Sequence, residues 1–520
     1  MKMQPPLPLY TSEQIRALEQ AVFDGGETAE QLMARAGAAL FSVMQTTWPD
    51  ARRVGVLLGS GQNAGDGLVL ARLARAEGFR VTLFGWCRPE QLHGAAHRAW
   101  LELKTACSDV VVIHEWGKVV AQDDFDVIVD AGFGIGLSPS RPLNAEATGW
   151  IEYVYASRHD GAAVLAADLP SGLIADTGSA GPVVQADVTV CFLAMKIGLV
   201  TGRGPAVSGR IVLANLGIPP RKDPPKKQTP DVQLVLGAES FPPKPRDGHK
   251  GRFGTVLIVA GNRGMMGAAR MAAEAALRIG AGKVIVATHP EHAATLAIGR
   301  PELIVHGLDA ATLLDELLAQ ADAIVLGPGL GRDDWAKQMA ARVLSTQLPL
   351  IIDADGLGFL PPSAAMNSLR IMTPHPGEAA RLLGCTVAEI EQDRLAAARA
   401  LRDRFGMLGV LKGAGSVLFL PDELRVCGRG SPALATAGSG DVLAGMIGGL
   451  LALGIVPSEA LPRAVCWHAL AGELLAEQSG AWGAVASDLF EPIRAVVNGR
   501  ANGLANDRVT LPPANVSLWR

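Results

Sequence analysis

The run Gly438-Ser439-Gly440-Asp441 opens the apolar stretch Val442-Leu443-Ala444-Gly445-Met446-Ile447 and joins two permissive glycines to a carboxylate. A helix starting there presents unpaired backbone N–H groups and the positive end of its dipole, which suits a phosphate. The aspartate beside it can act as a general base on a hydroxyl about to be phosphorylated. Alone, the string reads equally well as a helix cap. Four upstream motifs favour chemistry. Ala260-Gly261 is followed by Met266-Gly267-Ala268-Ala269 at a predicted helix start, and Gly327-Pro328-Gly329-Leu330-Gly331 follows a buried run. Thr373-Pro374-His375-Pro376-Gly377-Glu378 forms a proline-bracketed loop, and Lys412-Gly413-Ala414-Gly415-Ser416 leaves another strand. Each has a plain structural reading: a hydrogen-bonding His375, a solvated Lys412, a tight Gly-Pro-Gly turn. Their joint order is the signal.

A second constellation lies in the first half. Gly59-Ser60-Gly61-Gln62-Asn63-Ala64-Gly65-Asp66-Gly67 follows VGVLL, Asp130 follows VIV, and Asp168 follows VLAA. In an open parallel sheet, ligands bind outside the carboxyl ends of strands, so these three loops should converge. A nicotinamide dehydrogenase is the obvious rival. The glycines here run Gly59-x-Gly61-x-x-x-Gly65, and the strand Val81 to Phe84 ends in Gly85-Trp86-Cys87, with no acidic residue for a ribose. The redox reading is weak.

Positioning these residues requires two α/β units. Between Gly217 and Asp231 the chain reads GIPPRKDPPKKQTPD, dense in proline and charge, and this marks a linker. The expected division is 1–217, a linker at 218–231, and 232–510. Each half alternates short β-rich runs with Ala/Leu helices, as βαβ units around a parallel sheet do. In the first half, Thr11-x-x-Gln14 signals a capping box. Strands are predicted there at Val54–Leu58, Phe125–Val129, Ala163–Ala167 and Val188–Phe192, with a helix from Leu68. In the second half they are predicted at Thr255–Ala260, Lys283–Thr288, Ala323–Leu326, Leu350–Ile352 and Gly409–Leu411.

At 520 residues the chain exceeds one ordinary core. Its net charge of −4 and the lack of dense Lys/Arg tracts argue against a nucleic-acid or anionic-membrane partner. No run of roughly 18 apolar residues spans a membrane, and the proline-rich start lacks a signal-peptide core. Six scattered cysteines without a Cys-x-x-Cys pair fit free thiols in a reducing compartment, so a cytoplasmic location is expected.

GSGQNAGDG, DAGFGIGLS, ADLPSGLIADTG and the strand region carrying Lys196 occur in order, and residues 10–217 resemble the NAD(P)H-hydrate epimerase family. The resemblance implies a Rossmann-like three-layer α/β/α domain that pairs into a homo-oligomer. It implies potassium among Asn63, Asp130 and Ser171, all oxygen donors as a hard cation requires. It also implies substrate contacts from Gln62, Asn63, Ala64, Gly65 and Asp66, from Gly134, Ile135, Gly136, Leu137, Ser138, Pro139 and Ser140, and from Asp168. Asp168 is the expected acid/base for epimerisation at C6 of the hydrated nicotinamide ring. The family's usual Asn-Asn-Gly-Gly-Asp-Gly is altered by Gln62 and Ala64. A positive φ at Ala64 would cost roughly 1 kcal/mol or more.

Residues 232–500, with Lys250-Gly251-x-Phe253-Gly254 and Asp353-Ala354-Asp355 as further motifs, resemble the ADP-dependent NAD(P)H-hydrate dehydratases of the ribokinase-like superfamily. By that resemblance Lys412, Gly413, Ala414, Gly415, Ser416 and Gly440 line the nucleotide site. Ala269, Gly331, His375 and Asp441 face the hydrated dinucleotide, with Asp441 catalytic and magnesium accompanying ADP. The chain has Gly356 and Gly358 where the family commonly has Ala and Asn. Two other readings stand beside this one: a ribokinase-like small-molecule kinase with an N-terminal regulatory module, and a first half that only binds or scaffolds.

Overall fold

The computed structural model describes residues 6–113, 124–138, 143–218, 230–363, 365–500 and 509–510. The expected linker lies mostly outside them. Contacts divide the described chain into two units, one within residues 8–232 joined by 509–510, the other within 233–500.

The first unit starts with two capped helices, α1 (Ser12–Asp24) and α2 (Ala29–Thr47). Thr11 Oγ1 accepts from Gln14 N at 3.2 Å while Gln14 Oε1 accepts from Thr11 N at 2.9 Å, the expected reciprocal box. The chain continues through β1 (Arg53–Leu58), α3 (Asn63–Ala76), β2 (Arg80–Gly85), α4 (Gly94–Ala106), β3 (Val111–Ile113), β4 (Val127–Ala131), α5 (Ala145–His159), β5 (Ala163–Ala167), β6 (Val188–Phe192) and β7 (Arg210–Ala214). The sheet runs β7-β6-β5-β4-β1-β2-β3, and Val509–Thr510 extend it beside β7. Every pairing is parallel. Such a sheet is covered on both faces, which is why these strands read as unbroken apolar runs rather than alternating ones. Because β1 has β2 on one side and β4 on the other, strand order reverses there and opens a crevice at the carboxyl ends.

Several boundaries differ from expectation, two of them beside the site. β4 begins at Val127, because the Asp126 carboxylate takes the backbone N–H groups of Arg52 and Arg53 and the Arg53 guanidinium, holding the preceding residues out of the ladder. Asp130 therefore sits inside the strand. The helix expected from Leu68 begins at Asn63. Gly65 is in it for close packing: a Cβ there would stand 2.4 Å from Met33 Sδ and 2.9 Å from Ala96 Cα. Ala64 is fully buried within the same turn and is absent from the positive-φ residues, so the feared backbone penalty does not arise.

The second unit comprises β8 (Val232–Val235), β9 (Thr255–Val259), α6 (Met266–Ile279), β10 (Lys283–Thr288), β11 (Ile304–Gly307), β12 (Ala323–Leu326), α7 (Asp334–Leu344), β13 (Leu350–Ile352), β14 (Asn367–Met372), α8 (Pro376–Leu383), α9 (Arg394–Phe405), β15 (Met407–Leu411), β16 (Val417–Phe419), β17 (Leu424–Cys427), α10 (Ser439–Ala452) and α11 (Pro457–Ser479), among other short elements. The strands follow the order β8-β17-β16-β15-β14-β13-β12-β9-β10-β11. From β15 to β11 they are parallel, and the β15–β16 and β16–β17 pairs are antiparallel. Here the order reverses at β9, between β10 and β12. Helices α6 and α10 pack against each other over this sheet, and Val442, Ala444, Met446 and Ile447 are fully buried. That burial explains the apolar run that follows Asp441. Among the described residues, no helix is long and apolar enough to cross a membrane.

Candidate functional sites

The first crevice holds a cavity of about 1060 Å³. Gln62, Asn63, Asp66, Gly134, Ile135, Gly136, Leu137 and Asp168 line it, so the loops after β1, β4 and β5 converge as the sequence implied. Ala64 and Gly65 are buried behind this surface, Ser138 is not among the lining residues, and Pro139 and Ser140 lie outside the described residues.

Asp168 sits just past β5 with φ 65°, a left-handed conformation that aspartate tolerates better than most residues. Its Oδ1 accepts from Phe192 N at 3.1 Å and from Lys196 Nζ, with which it forms a buried ion pair. Lys196 Nζ also donates to Phe192 O at 2.6 Å. Burial pulls the Lys196 ammonium down, but Asp168, Cys191 and Glu19 together raise its pKa. Lys196 marked one of the sequence motifs without a role. A fully buried lysine needs a counter-charge, and Asp168 is that charge.

Asp130 and Ser171 are brought together. Asp130 Oδ1 accepts from Ser171 Oγ at 2.6 Å and from Gly132 N at 3.2 Å, and Oδ2 accepts from Ser171 N at 2.7 Å. Burial nonetheless pushes Asp130 up to about 6, against the pull of these donors. No ion pair reaches it among the described residues. Asn63 makes no hydrogen bond to that pair among the described residues: its Nδ2 donates to Ala167 O at 3.1 Å, while its side chain faces Gly134, as Asp168 Oδ2 does.

In the second unit the Gly-Ser-Gly-Asp run forms the turn into α10, with Gly438 as N-cap at φ 88°. A Cβ there would also meet Ala486 Cβ at 3.1 Å. Behind the turn, Ser439 Oγ lies 3.3 Å from Nε2 of buried His468, which burial pulls down to about 4 and so keeps neutral. Asp441 falls in the first turn of α10. Burial first, then the nearby Asp353, pushes it up to about 7. Lys412 opposes that rise, while Glu378 and Asp355 add to it.

Lys412 at the end of β15 is no solvated charge. It donates to Asp353 Oδ1 at 2.9 Å, the same oxygen that accepts from Thr373 Oγ1 at 2.7 Å, and Nζ lies 4.0 Å from Glu378 Oε2. A Cβ on Gly440 would stand 3.1 Å from Lys412 Nζ, so the α10 turn and the β15 loop meet. His375 caps α8: Nδ1 accepts from Gly377 N at 3.0 Å, Glu378 Oε2 accepts from His375 N at 2.8 Å, and the ring is half exposed. Gly331 N donates to Asp355 Oδ2 at 2.9 Å, which links the Gly-Pro-Gly loop to the Asp-Ala-Asp motif. Ala269 is fully buried against Gly261 and shapes the floor from below.

One residue escaped the sequence reading. Arg394 on α9 is buried and donates to Leu411 O at 3.2 Å and Lys412 O at 3.0 Å, fixing the start of the Lys412–Ser416 loop. Nothing in its local sequence distinguishes it from the other arginines of the same helix. Only its 18-residue reach to the loop carbonyl does.

With this geometry in view, the comparisons are decisive. Residues 29–198 match the family model described as the YjeF-related protein N-terminus, and residues 256–495 match that of NAD(P)H-hydrate dehydratase. The bifunctional NAD(P)H-hydrate repair enzyme Nnr of Coxiella burnetii is 41% identical over 94% of this chain and 99% of its own. That of Escherichia coli is 40% identical over 95% and 94%. The chain belongs to the bifunctional NAD(P)H-hydrate repair enzymes. Among solved structures, an ADP/ATP-dependent NAD(P)H-hydrate dehydratase from Bacillus subtilis is 31% identical and covers 49% of this chain and 93% of its own, with a TM-score of 0.45. As a member of this family, the chain carries a YjeF-type α/β unit followed by an NAD(P)H-hydrate dehydratase unit.

Proposed function

We propose that the first unit interconverts the R and S epimers of hydrated NAD(P)H and that the second dehydrates the S epimer to NAD(P)H with ADP, giving AMP and phosphate. One observation carries the reading. Asp168 pairs with buried Lys196 in the cavity at the first unit's strand-order reversal, and Asp441 lies at the α10 turn where Lys412 pairs with Asp353, in a chain that aligns nearly end to end with bifunctional repair enzymes.

In the second unit, Asp441 takes the proton from the C6 hydroxyl as that oxygen attacks the β-phosphorus of ADP. A pKa near 7 suits a base that must accept a proton and then release it. Free N–H groups of the α10 turn hold the transferring phosphoryl group. The lone pair of the ring nitrogen then expels phosphate from C6, and loss of a proton from C5 restores the ring double bond. Lys412 and the Gly413–Ser416 loop would hold the nucleotide, with Gly331 and His375 on the dinucleotide. Asp355 and Glu378 each keep oxygen capacity beyond their single backbone N–H partner, so they fit a hard cation. Magnesium bound there supplies charge neutralisation for the phosphates.

In the first unit, the buried Asp130 carboxylate lacks a counter-cation among the described residues, and the Asn63 amide oxygen lacks a protein donor there. With Ser171 they fit a cation of low charge density. Potassium in that place supplies the missing positive charge. Asp168, oriented by Lys196 and Phe192 N, would handle the proton at C6. Self-association and a cytoplasmic location complete the reading. All six cysteines are free thiols, which accords with a reducing compartment.

The test is the near-ultraviolet absorbance of NADH regenerated from a mixture of both epimers with magnesium, potassium and ADP. Full recovery faster than spontaneous epimerisation supports both activities. Recovery that stops at the S share removes the epimerase reading. No nucleotide-dependent recovery, with a stable phosphorylated product from another substrate, would put the kinase reading in its place. Sedimentation of the full chain tests self-association.

A further inference from the structure

Epimerisation at a carbon bearing a hydroxyl and a ring nitrogen needs two proton transfers on opposite faces. One group must protonate the departing hydroxyl, and another must take a proton from the returning water. The reading above supplies only Asp168. The cavity offers a second group that no sequence motif marked. Helix α1 presents Ile15, Arg16, Glu19 and Phe23 to the same cavity, as their spacing on one helical face allows. This helix lies ahead of residues 29–198, which match the family model, so the cavity wall it forms comes from outside that match.

Helix α1 is held firmly. Its capping box fixes the first turn, Ser12 N and Ser12 Oγ donate to the Asp176 carboxylate at 2.5 and 2.9 Å, and Arg16 donates to Ile135 O at 3.3 Å. Glu19 is partly buried, and its carboxyl has no hydrogen bond or ion pair among the described residues. The charged groups around it come from every wall: Arg16 from α1, Asp66 from α3, Asp168 after β5, and Lys196 after β6. Lys196 is committed to Asp168 and Phe192 O. Burial, the largest influence, raises Glu19, and Asp168 raises it further, while Lys196 and Arg16 pull it down. Asp66 is a second unpartnered carboxyl, nine-tenths buried, and is also raised by burial. Its depth suits a proton that stays in place. Glu19, with more contact to water, can exchange its proton in each cycle.

We infer that Glu19 is a catalytic residue of the epimerisation, acting across the cavity from Asp168. This rests on the epimerase reading of the first unit. In one direction the Glu19 carboxyl gives its proton to the C6 hydroxyl, the C6–O bond breaks, and water leaves. The ring-nitrogen lone pair forms the C6–N double bond of a cation. Water then adds to the other face, its extra proton passes to Asp168, and the lone pair returns to nitrogen. The opposite direction exchanges the two roles, and solvent restores both carboxyls.

The test uses the full chain and purified R-NADHX, with epimerisation and S-epimer dehydration followed separately. Glu19→Gln should lower the epimerisation kcat about 10²-fold or more, with KM little changed. It should also remove one limb of the kcat–pH profile and leave dehydration of the S epimer at the wild-type rate. Glu19→Asp should recover part of the rate and restore the limb. Wild-type kcat and both limbs in Glu19→Gln would overturn the inference, as would a loss confined to KM. A wild-type chain that does not epimerise would instead overturn the epimerase reading itself.

Discussion

Asp168 and Asp441 are the same residue type at the mouths of two crevices, yet their surroundings treat them differently. In the first unit the lysine goes to the aspartate itself: Lys196 pairs with Asp168, and the backbone holds Asp168 at φ 65°. In the second unit the lysine goes to a neighbour. Lys412 pairs with Asp353, and Asp441 is left among Asp353, Asp355 and Glu378 in a half-buried turn, raised to about 7. One arrangement orients the carboxyl through an ion pair and a backbone N–H. The other leaves a carboxyl ready to change protonation near neutrality, the condition for a base that attacks a poorly acidic hydroxyl. The lysine pairs with the aspartate itself in the first unit and with a neighbouring carboxylate in the second.

The sharpest way to break this comparison is to remove each carboxylate in turn. Asp441→Asn should lower ADP-dependent dehydration about 10²–10⁴-fold while leaving epimerisation unchanged. Asp168→Asn should do the reverse. Separate assays of the two steps on the same preparations check this. Loss of both activities in either variant would show that the two units do not work independently.

Next in size is the effect of removing each lysine. Lys196→Met strands a buried carboxylate and should cost the first unit about 3–5 kcal/mol, read by denaturant unfolding, along with its epimerisation. Lys412→Met strands Asp353, which is more deeply buried than Asp168 but keeps the Thr373 Oγ1 donor, so it should also cost stability and should raise the KM for ADP. Restoring neutrality with Lys196→Met and Asp168→Asn together should recover most of the lost stability and none of the rate. Loss of dehydration in Lys196→Met, or of epimerisation in Lys412→Met, would contradict the separate roles drawn for the two pairs.

Much of this was legible in the residues. Strand-end aspartates and glycine loops follow unbroken apolar runs, and such runs identify buried parallel strands whose carboxyl ends are known in advance. The crevices followed from that. The start of α3 did not, because Asn63-Ala64-Gly65-Asp66-Gly67 has the composition of a loop, and its glycines serve close packing, Gly65 on Met33 and Ala96 and Gly67 on Ala131 and Val56. Pairings were equally hidden. Lys412 with Asp353, Lys196 with Asp168, and Arg394 with the Lys412 carbonyl join residues 59, 28 and 18 apart in the chain. Periodicity is silent about such partners. Glu19 was missed for another reason: at the sequence level it is one more acidic residue on an amphipathic helix, and its wall of the cavity exists only after folding.

The smallest expected effect is also the most specific to the comparison. A base must be ionised to act, and Asp441 is raised to about 7 by burial and by Asp353. Dehydration should therefore fall about tenfold for each pH unit below 7, with ADP and S-NADHX saturating, and level off above about 8. Epimerisation should not follow this limb. Stability has its own sign. A carboxyl whose folded pKa lies above its unfolded value binds its proton more tightly when folded, so its contribution is full below about 4 and is lost as pH rises through 7. Asp441→Asn should thus stabilise the second unit against denaturant at about pH 8, and that gain should vanish toward about pH 4. If dehydration and stability showed no inflection near neutrality, Asp441 would be a paired carboxylate like Asp168, and the difference between the two crevices would lie elsewhere.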